Sequence, residues 1–442
     1  MVKKERFIIV GLGNRGRDSF AKALLAFPNR GFPEFKEKSE IVALVDNNLA
    51  RAKVANEILN ENIPIYGTIE EAVNNVAADW AIITTPDYTH GNIGSAALNN
   101  GLNIIIDKPL ATSVMECNQI IEAGKRNHKK VIVGHNMRYN EYMLAMAKLV
   151  RSGAIGDVIH VEAAEILDMD HGGSYFHRWH SEFDKSAGLM NHKCCHQLDI
   201  INWVLEDSPI GVSSLGGRSF YVPRPDLNHG SRCTECSITA ECPHFCDVDS
   251  HEQRLRKLYL NVEKVDGYIR DLCVFSDRNT INDHETLNIK YRKGTTCSFN
   301  LVAFAPKEYA YFYFTGTKGR LEYGMSFVPT DQPAENTKGM AEMGLSFEIG
   351  KPFIRLFNYD GTIKNIPVEK KHVGYGHGGA DVKLIATILN VDVENLDSIQ
   401  RATAEQARDA VAIADMSSRS IAAGGRYVVF EETGKDFPPA SQ

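Results

Sequence analysis

Apolar residues in the first third of the chain fall in short unbroken runs rather than in alternation. The runs are FIIVGLG (7–13), IVALVD (41–46), DWAIITTP (79–86), NIIIDKP (103–109) and KKVIVGHN (129–136). Unbroken runs of this length fit strands buried on both faces, as in a parallel sheet. Between them LARAKVANEILN, TIEEAVNNV, GNIGSAALNN and SVMECNQIIEAGKRN carry helical periodicity. Thr68 precedes Glu71 by three residues, and Ser113 precedes Glu116 by three, the spacing of a capping box. Strand, crossover helix, strand predicts a doubly wound α/β layer. Later the pattern changes. VIHVEAAEIL (158–167), LNIKYRKGTTCSFNLVAF (287–304) and EYAYFYFTG (308–316) read as strands, with a hairpin turn at RKGT (292–295). KLIATILN and AEQARDAVAIADMSSRSIAAG read as helices, the second ending at Gly424 and Gly425. The chain shows no internal repeat and no low-complexity linker.

Gly11, Gly13 and Gly16 in GLGNRG form G-x-G-x-x-G directly after the first strand and before a helix. Such glycines let the backbone approach a pyrophosphate, and the helix N-terminus adds N–H donors and a positive dipole. The glycines alone would equally serve a plain turn; their place between strand and helix favours the phosphate cradle. Asn14 and Arg15 belong to the same loop. Asp46 ends the second strand and Asn47 follows it. A carboxylate there binds ribose hydroxyls and repels a 2′-phosphate, which predicts NAD rather than NADP. Arg51 would soften that preference. Residues 29–39, NRGFPEFKEKS, read as a loop insertion that lengthens the interval to Asp46. Thr84, Thr85 and Pro86, with His90 beyond, end the third run, and Asp107, Lys108 and Pro109 end the fourth. Ligands bind outside the carboxyl ends of strands in an open parallel sheet, so both segments point at the cofactor edge. A solvated loop lysine is the plain alternative for Lys108; the buried run before it and the proline after it weigh against that.

In this order GLGNRG, TTPDYTH, DKPLA and a later HQLD resemble the Gfo/Idh/MocA oxidoreductase family. The resemblance implies a Rossmann dinucleotide-binding domain over residues 1–140. It implies a second, α+β domain over 141–442 for substrate binding and oligomerisation, built on an open and mostly antiparallel sheet. A Cys-rich insert near 223–285 stands apart from the family pattern. The implied activity is NAD-dependent hydride transfer to or from a hydroxyl of a sugar, glycoside or cyclitol. Two alternatives come with the family: redox-neutral glycoside cleavage through a transient keto-sugar on a retained NAD, and a non-catalytic sensor. Two departures stand out. Asp107 replaces the family's usual glutamate, and the family's D-x-x-x-H pair falls on His192 and His196, with Lys193 beside them.

A hydride leaves a carbinol carbon only as its hydroxyl proton leaves, so the site needs a base near neutrality and a cation for the developing alkoxide. His196 as base and Lys108 as cation meet those needs, with His192 and Lys193 shaping or assisting the site. KCCHQLDIINWVLE reads as a helix that puts His192, His196, Asp199 and Trp203 on one face. Core-edge histidines and a metal at His192 and His196 are the alternatives; the i, i+4 spacing suits a metal, but no third ligand is evident. Adjacent Cys194 and Cys195 point in different directions on a helix and are expected to pack as small apolar side chains. Upstream, DMDHGGSYFHRWHSEFDKSAGL (168–189) contains His171, Tyr175, His177, Arg178, Trp179 and His180. Such donors and aromatic faces suit a polyhydroxy ligand, so Tyr175, His177, Arg178, Trp179 and His180 are candidate substrate contacts; a polar surface loop is the alternative. His377 in GYGHGGAD (374–381) is placed to close the pocket.

RCTECSITAECPHFC sets Cys233, Cys236, Cys242 and Cys246 as C-x2-C-x5-C-x3-C. Four thiols in a short loop suit a structural zinc, with an iron–sulfur cluster or free thiols as alternatives. Nine cysteines, an odd number, point to a reducing compartment and a cytoplasmic protein. The net charge of −7 argues against nucleic acid, and no apolar run approaches a membrane span. The N-terminal apolar stretch is too short and glycine-broken for a signal peptide. The expected partner is a small molecule, and the broad sheet favours a homo-oligomer.

Overall fold

The computed structural model describes residues 4–249, 255–326, 352–370, 375–394 and 396–434. Six short strands form the first sheet: β1 (Glu5–Val10), β2 (Ser39–Val45), β3 (Ile65–Tyr66), β4 (Trp80–Ile83), β5 (Asn103–Ile106) and β6 (Val131–Val133). They run parallel in the order β3-β2-β1-β4-β5-β6. Ile8, Ile9, Ile82, Ile83, Ile104 and Ile105 are almost fully buried, as strands covered on both faces require. Thr68 and Ser113 cap their helices as the spacing predicts, each accepting from the N–H three residues on at 3.2 Å. The return arms shift by one residue: Glu71 reaches Gly67 N–H and Glu116 reaches Thr112 N–H. Residues 29–39 are not simply a loop, because Pro33–Lys38 is a helix. Its Phe35 is fully buried in the core beneath the sheet.

The second sheet has nine strands: β7 (Val158–Asp168), β8 (Pro209–Gly217), β9 (His284–Tyr291), β10 (Thr296–Ala305), β11 (Tyr309–Gly316), β12 (Gly319–Ser326), β13 (Phe353–Asn358), β14 (Ile363–Asn365) and β15 (Val428–Val429). Their order is β14-β13-β12-β11-β7-β10-β9-β8-β15. Within this sheet only β7 and β10 pair in parallel among the described residues. Along β9 and β10 buried and exposed positions alternate, so one face meets the core and the other stays open. The turn at Arg292–Thr295 joins them as expected.

Late segments return to the first sheet. The helix Ala380–Leu389 packs Val382, Leu384 and Ile385 into the core that contains Phe7, Ile9 and Phe20. The long helix Ala404–Ala422 touches both cores, with Ala407 and Val411 against the first and Ala410, Ile413 and Met416 against the second. Thr403 and Gln406 close a full capping box at its start. The region that follows β8 folds back over the first sheet, and Asp283 anchors its base by accepting from the N–H groups of Ser219, Phe220 and Tyr221.

Candidate active site

Strand order reverses between β1 and β4, so the loops leaving their carboxyl ends diverge and open a crevice. Gly11 has φ +87°, and a Cβ there would lie 2.8 Å from Thr85 N. A Cβ at Gly16 would lie 2.0 Å from Gly11 O. Both glycines are therefore demanded by how closely the two loops pack, and Thr84 Oγ1 ties them by donating to Gly11 O at 2.7 Å. Gly13 leaves room for a phosphate, with only the Tyr259 hydroxyl near it among the described residues, 3.5 Å from its would-be Cβ. Asn14 precedes a loosely wound π-helical turn, Arg15–Ala21, whose first residues face the crevice. This cradle fits a dinucleotide.

The flanking charges are more committed than the sequence suggested. Asp46 is buried, accepting from Leu12 N–H and Asn48 N–H at 2.9 Å each. Burial raises its pKa against the pull of Arg51, which lies 3.2 Å away. Arg51 also pairs with Asp266 at 2.6 Å and lies under Tyr259 and Tyr268. Asn47 is exposed. Arg15 pairs with Asp107 (2.8 Å) and Asp381 (3.2 Å), and these carboxylates outweigh burial to hold its pKa high. Asp107 is held below the ordinary carboxylate value because Arg15 overcomes the cost of its burial. The ring nitrogens of His90 each lie 2.9 Å from a carbonyl oxygen, of Thr85 and of Pro109. His90 thus ties the Thr85–Pro86 loop to the Lys108–Pro109 loop.

The catalytic candidates converge where the two sheets meet. Lys108 Nζ donates to the His192 carbonyl at 2.8 Å. His192 Nδ1 lies 2.6 Å from Asp87 Oδ2. Burial pushes the His192 pKa well down and the Asp87 pKa up, while the Lys108 charge opposes the latter. With His192 neutral, an Nδ1–H donated to Asp87 leaves Nε2 as a lone-pair acceptor. His196 is also driven well below the ordinary histidine value, by burial first and then by Lys108. Its Nδ1 is buried without a hydrogen-bond partner among the described residues. The single expected helical face is broken: Gly188–His192 and Cys195–Leu205 are separate helices. Asp199 turns into the core and pairs with Arg138 at 2.6 Å, and Trp203 Nε1 donates to Ile399 O. Cys194 and Cys195 are fully buried apolar packers, as expected. Lys193 pairs with Glu165 at 2.9 Å, which outweighs burial and keeps the ammonium charged.

Aromatic rings wall this centre. Trp179 stacks on His180 at 3.8 Å, and His180 meets His192 edge-on at 4.1 Å. Tyr175 lies 5.6 Å from both histidines, with Arg178 5.1 Å from its ring. Tyr175 OH reaches His171 Nε2 at 3.1 Å, and His171 Nδ1 reaches Glu308 at 3.0 Å. His177 points elsewhere: its Nδ1 is 2.5 Å from Leu272 O, which pins the insert. Burial lowers its pKa to about 4. His377 is largely exposed and pairs with Asp381 at 2.7 Å; Gly374, at the start of its motif, lies outside the described residues. The sequence reading missed Asp87, Glu165, Glu308, Tyr259 and Arg270. Asp87 alone had a local signal, following Pro86 in the loop already singled out.

The zinc expectation is corrected. Among the described residues no three His, Cys, Asp or Glu side chains converge closely enough to hold a metal, at the cysteines or at His192 and His196. Cys233 Sγ accepts from Cys246 N–H (3.4 Å), and Cys236 Sγ accepts from Gly230 N–H (3.3 Å). Cys233, Cys236 and Cys242 instead line a mostly apolar cavity of about 620 Å³. Burial pushes the Cys233 thiol up to about 12.

Residues 5–135 match the family described as oxidoreductase, NAD-binding Rossmann fold, and residues 147–429 match its C-terminal α/β domain. The chain belongs to the Gfo/Idh/MocA oxidoreductase family. Within that family it is 26% identical over 400 residues to YteT of Bacillus subtilis, described as an oxidoreductase, covering 87% of this chain and 88% of that one. It is 26% identical over 200 residues to an inositol 2-dehydrogenase of Salmonella typhimurium, covering 45% of this chain and 54% of that one. The fold is similar to that of an aldose-aldose oxidoreductase from Caulobacter crescentus, with a TM-score of 0.60 at 15% identity, covering 97% and 100% of the two chains. No helix among the described residues is long and apolar enough to cross a membrane.

Proposed function

We propose that this family member is an NAD-dependent dehydrogenase acting on a secondary hydroxyl of a sugar, glycoside or cyclitol. The observation that carries the reading is the meeting of Lys108, His192 and Asp87 beside the glycine cradle. When bound, the nicotinamide supplies the hydride acceptor or donor. His192 Nε2, rather than the His196 that the sequence pointed to as base, takes the hydroxyl proton while Asp87 fixes the ring tautomer, because among the described residues His192 and not His196 has the orienting carboxylate. Lys108 stabilises the alkoxide charge as it develops. His196, from the next helix, offers a second imidazole to the same substrate. Tyr175, Trp179 and His180 present the faces and donors a polyhydroxy ring needs, and Lys193 holds Glu165 at the rim. Asp46, at the end of β2, is the ribose contact that favours NAD over NADP.

The test mixes pure protein with NAD and a panel of sugars, glycosides and cyclitols, follows reduced-cofactor absorbance, and identifies products by mass. NADH formed in step with a keto product supports the reading. A second reading, redox-neutral glycoside cleavage on a retained NAD, is favoured by one observation: Tyr259 and the Arg51–Asp266 pair lie over the cofactor loop. Cleaved glycoside without accumulating NADH would select it. The protein is further proposed to work in the cytoplasm as a homo-oligomer. Nine free cysteines support the first, and exposed Ile159, Tyr309 and Ile363 on the second sheet support the second.

A further inference from the structure

Two arginines beside the proposed catalytic centre have no carboxylate partner among the described residues. Among the described residues Arg178 donates only to Ser174, through its carbonyl at 2.6 Å and its hydroxyl at 2.9 Å. Arg270 has no hydrogen bond or ion pair among the described residues; its guanidinium lies 5.8 Å from the Tyr259 ring. The backbone brings them together. Leu272 N–H donates to His177 O at 3.2 Å, so the strand-like segment of the insert that contains Arg270 runs beside Arg178.

The carboxylates around them are already engaged. Asp87 faces His192, Glu165 holds Lys193 and Gln197, Glu308 holds His171, and Asp266 holds Arg51. Burial, followed by the repulsion of Arg270, pushes the Arg178 pKa down to about 10. Burial, then His192, and then these two cations with Lys108 lower the His180 pKa well below the ordinary histidine value. Both arginines are half-buried, and a pair of like charges partly withdrawn from water is costly unless an anion completes it. Guanidinium forks match carboxylate and phosphate geometry.

We propose that Arg178 and Arg270 jointly receive an anionic group, a carboxylate or a phosphate, carried by the substrate. This rests on the dehydrogenase reading and narrows its substrate class to acidic or phosphorylated sugars and cyclitols. The position supports it. Arg178 sits over Tyr175, which touches His192, so an anion held there lies on the substrate side of the catalytic histidines. Arg270 sits by Tyr259, which reaches the glycine cradle, so the cofactor diphosphate is the competing source of the anion.

Matched ligands separate the sources. Calorimetry on the full chain, first titrated with NADH alone and then with NADH bound, compares glucose with glucuronate, galactose with galacturonate, and glucose with glucose 6-phosphate. At least one acidic member is expected to bind about tenfold or more tightly than its neutral partner. Carboxylate and phosphate sources are told apart by which pair shows the gap. Arg270→Gln is expected to erase that gap, with its thermal midpoint recorded to confirm folding. Equal binding within every pair overturns the proposal from the native protein alone, whatever the variant does. An Arg270→Gln protein that weakens NADH and spares the gap overturns it in favour of the diphosphate. Failure of NADH to bind at all would instead bring down the dehydrogenase reading beneath it.

Discussion

His192 and Asp87 come from segments 105 residues apart and meet at 2.6 Å across the junction of the two sheets. Asp87 belongs to the loop after β4 and His192 to a short helix of the second domain. In the proposed reaction neither residue would make a working base alone: the carboxylate would select which ring nitrogen carries the proton, and burial at the junction would exclude water that competes for it. Removing the imidazole as His192→Ala should lower kcat by about 10²–10⁴-fold. Asp87→Asn should also lower kcat, with less effect on KM, because the amide fixes the wrong tautomer. Steady-state kinetics on the two variants checks this; a change confined to KM would assign His192 to binding instead.

Activity should survive acidification further than an ordinary histidine base allows. Burial lowers the His192 pKa well below 6.5, so its neutral, proton-accepting form persists as pH falls. A profile of kcat/KM against pH should keep its plateau below pH 6.5 and then decline on the acid side. A base with an upward-shifted pKa would lose activity from neutrality downward.

Stability, unlike activity, should fall as soon as the pH drops below about 6.5. His135 and His177 both have folded pKa values of about 4 from burial, against 6.5 for the ordinary group. Between those values the unfolded chain binds protons that the folded chain does not. Their contribution is therefore full above pH 6.5 and is lost as pH falls through about 4. Thermal midpoints taken from pH 7 to pH 4 should drop, with proton uptake on unfolding.

Tyr259 should act as a brace on the cofactor. It lies over Gly13 and against Arg51, which is itself tied to Asp46 and Asp266. Tyr259→Ala should weaken NADH binding by roughly fivefold, about 1 kcal/mol, mostly through faster release. Stopped-flow displacement measures that rate directly. An unchanged rate would detach the insert from cofactor retention.

Gly16→Ala should destabilise the fold rather than merely weaken the cofactor. The new Cβ would stand 2.0 Å from Gly11 O, a backbone atom that cannot step aside. A loss of about 1–3 kcal/mol in denaturant unfolding without cofactor is expected. Loss of NADH affinity at unchanged stability would contradict this packing role.

Local rules made the first sheet legible. Apolar runs named five of its six strands, and capping residues marked two helix starts; β3 escaped because two residues carry no pattern. In the second domain β7, β9, β10 and β11 showed themselves through length and alternation. The shorter β13, β14 and β15 depend on a neighbour rather than on their own sequence. The same divide runs through the site. Of the proposed site, Lys108, His192 and His196 were candidates from their chemistry and from the family resemblance. Asp87 and Arg270 were not assigned, since their roles exist only once distant segments pack. Tertiary packing also redirected Asp199 to Arg138, His177 to Leu272 and His90 to two carbonyls. The cysteine spacing suggested a metal, but spacing does not fix where thiols point, and these line a cavity wall.

Single-turnover mixing tests the central claim most directly. Native protein, Lys108→Met and His192→Asn are each loaded with NAD and mixed with the best substrate of the panel, and reduced-cofactor absorbance is followed. The native protein should show a fast rise. Both variants should bind NAD within a few-fold of native yet reduce it about 100-fold or more slowly. A native rate in either variant would contradict the assignment of Lys108 and the His192–Asp87 pair to the chemistry.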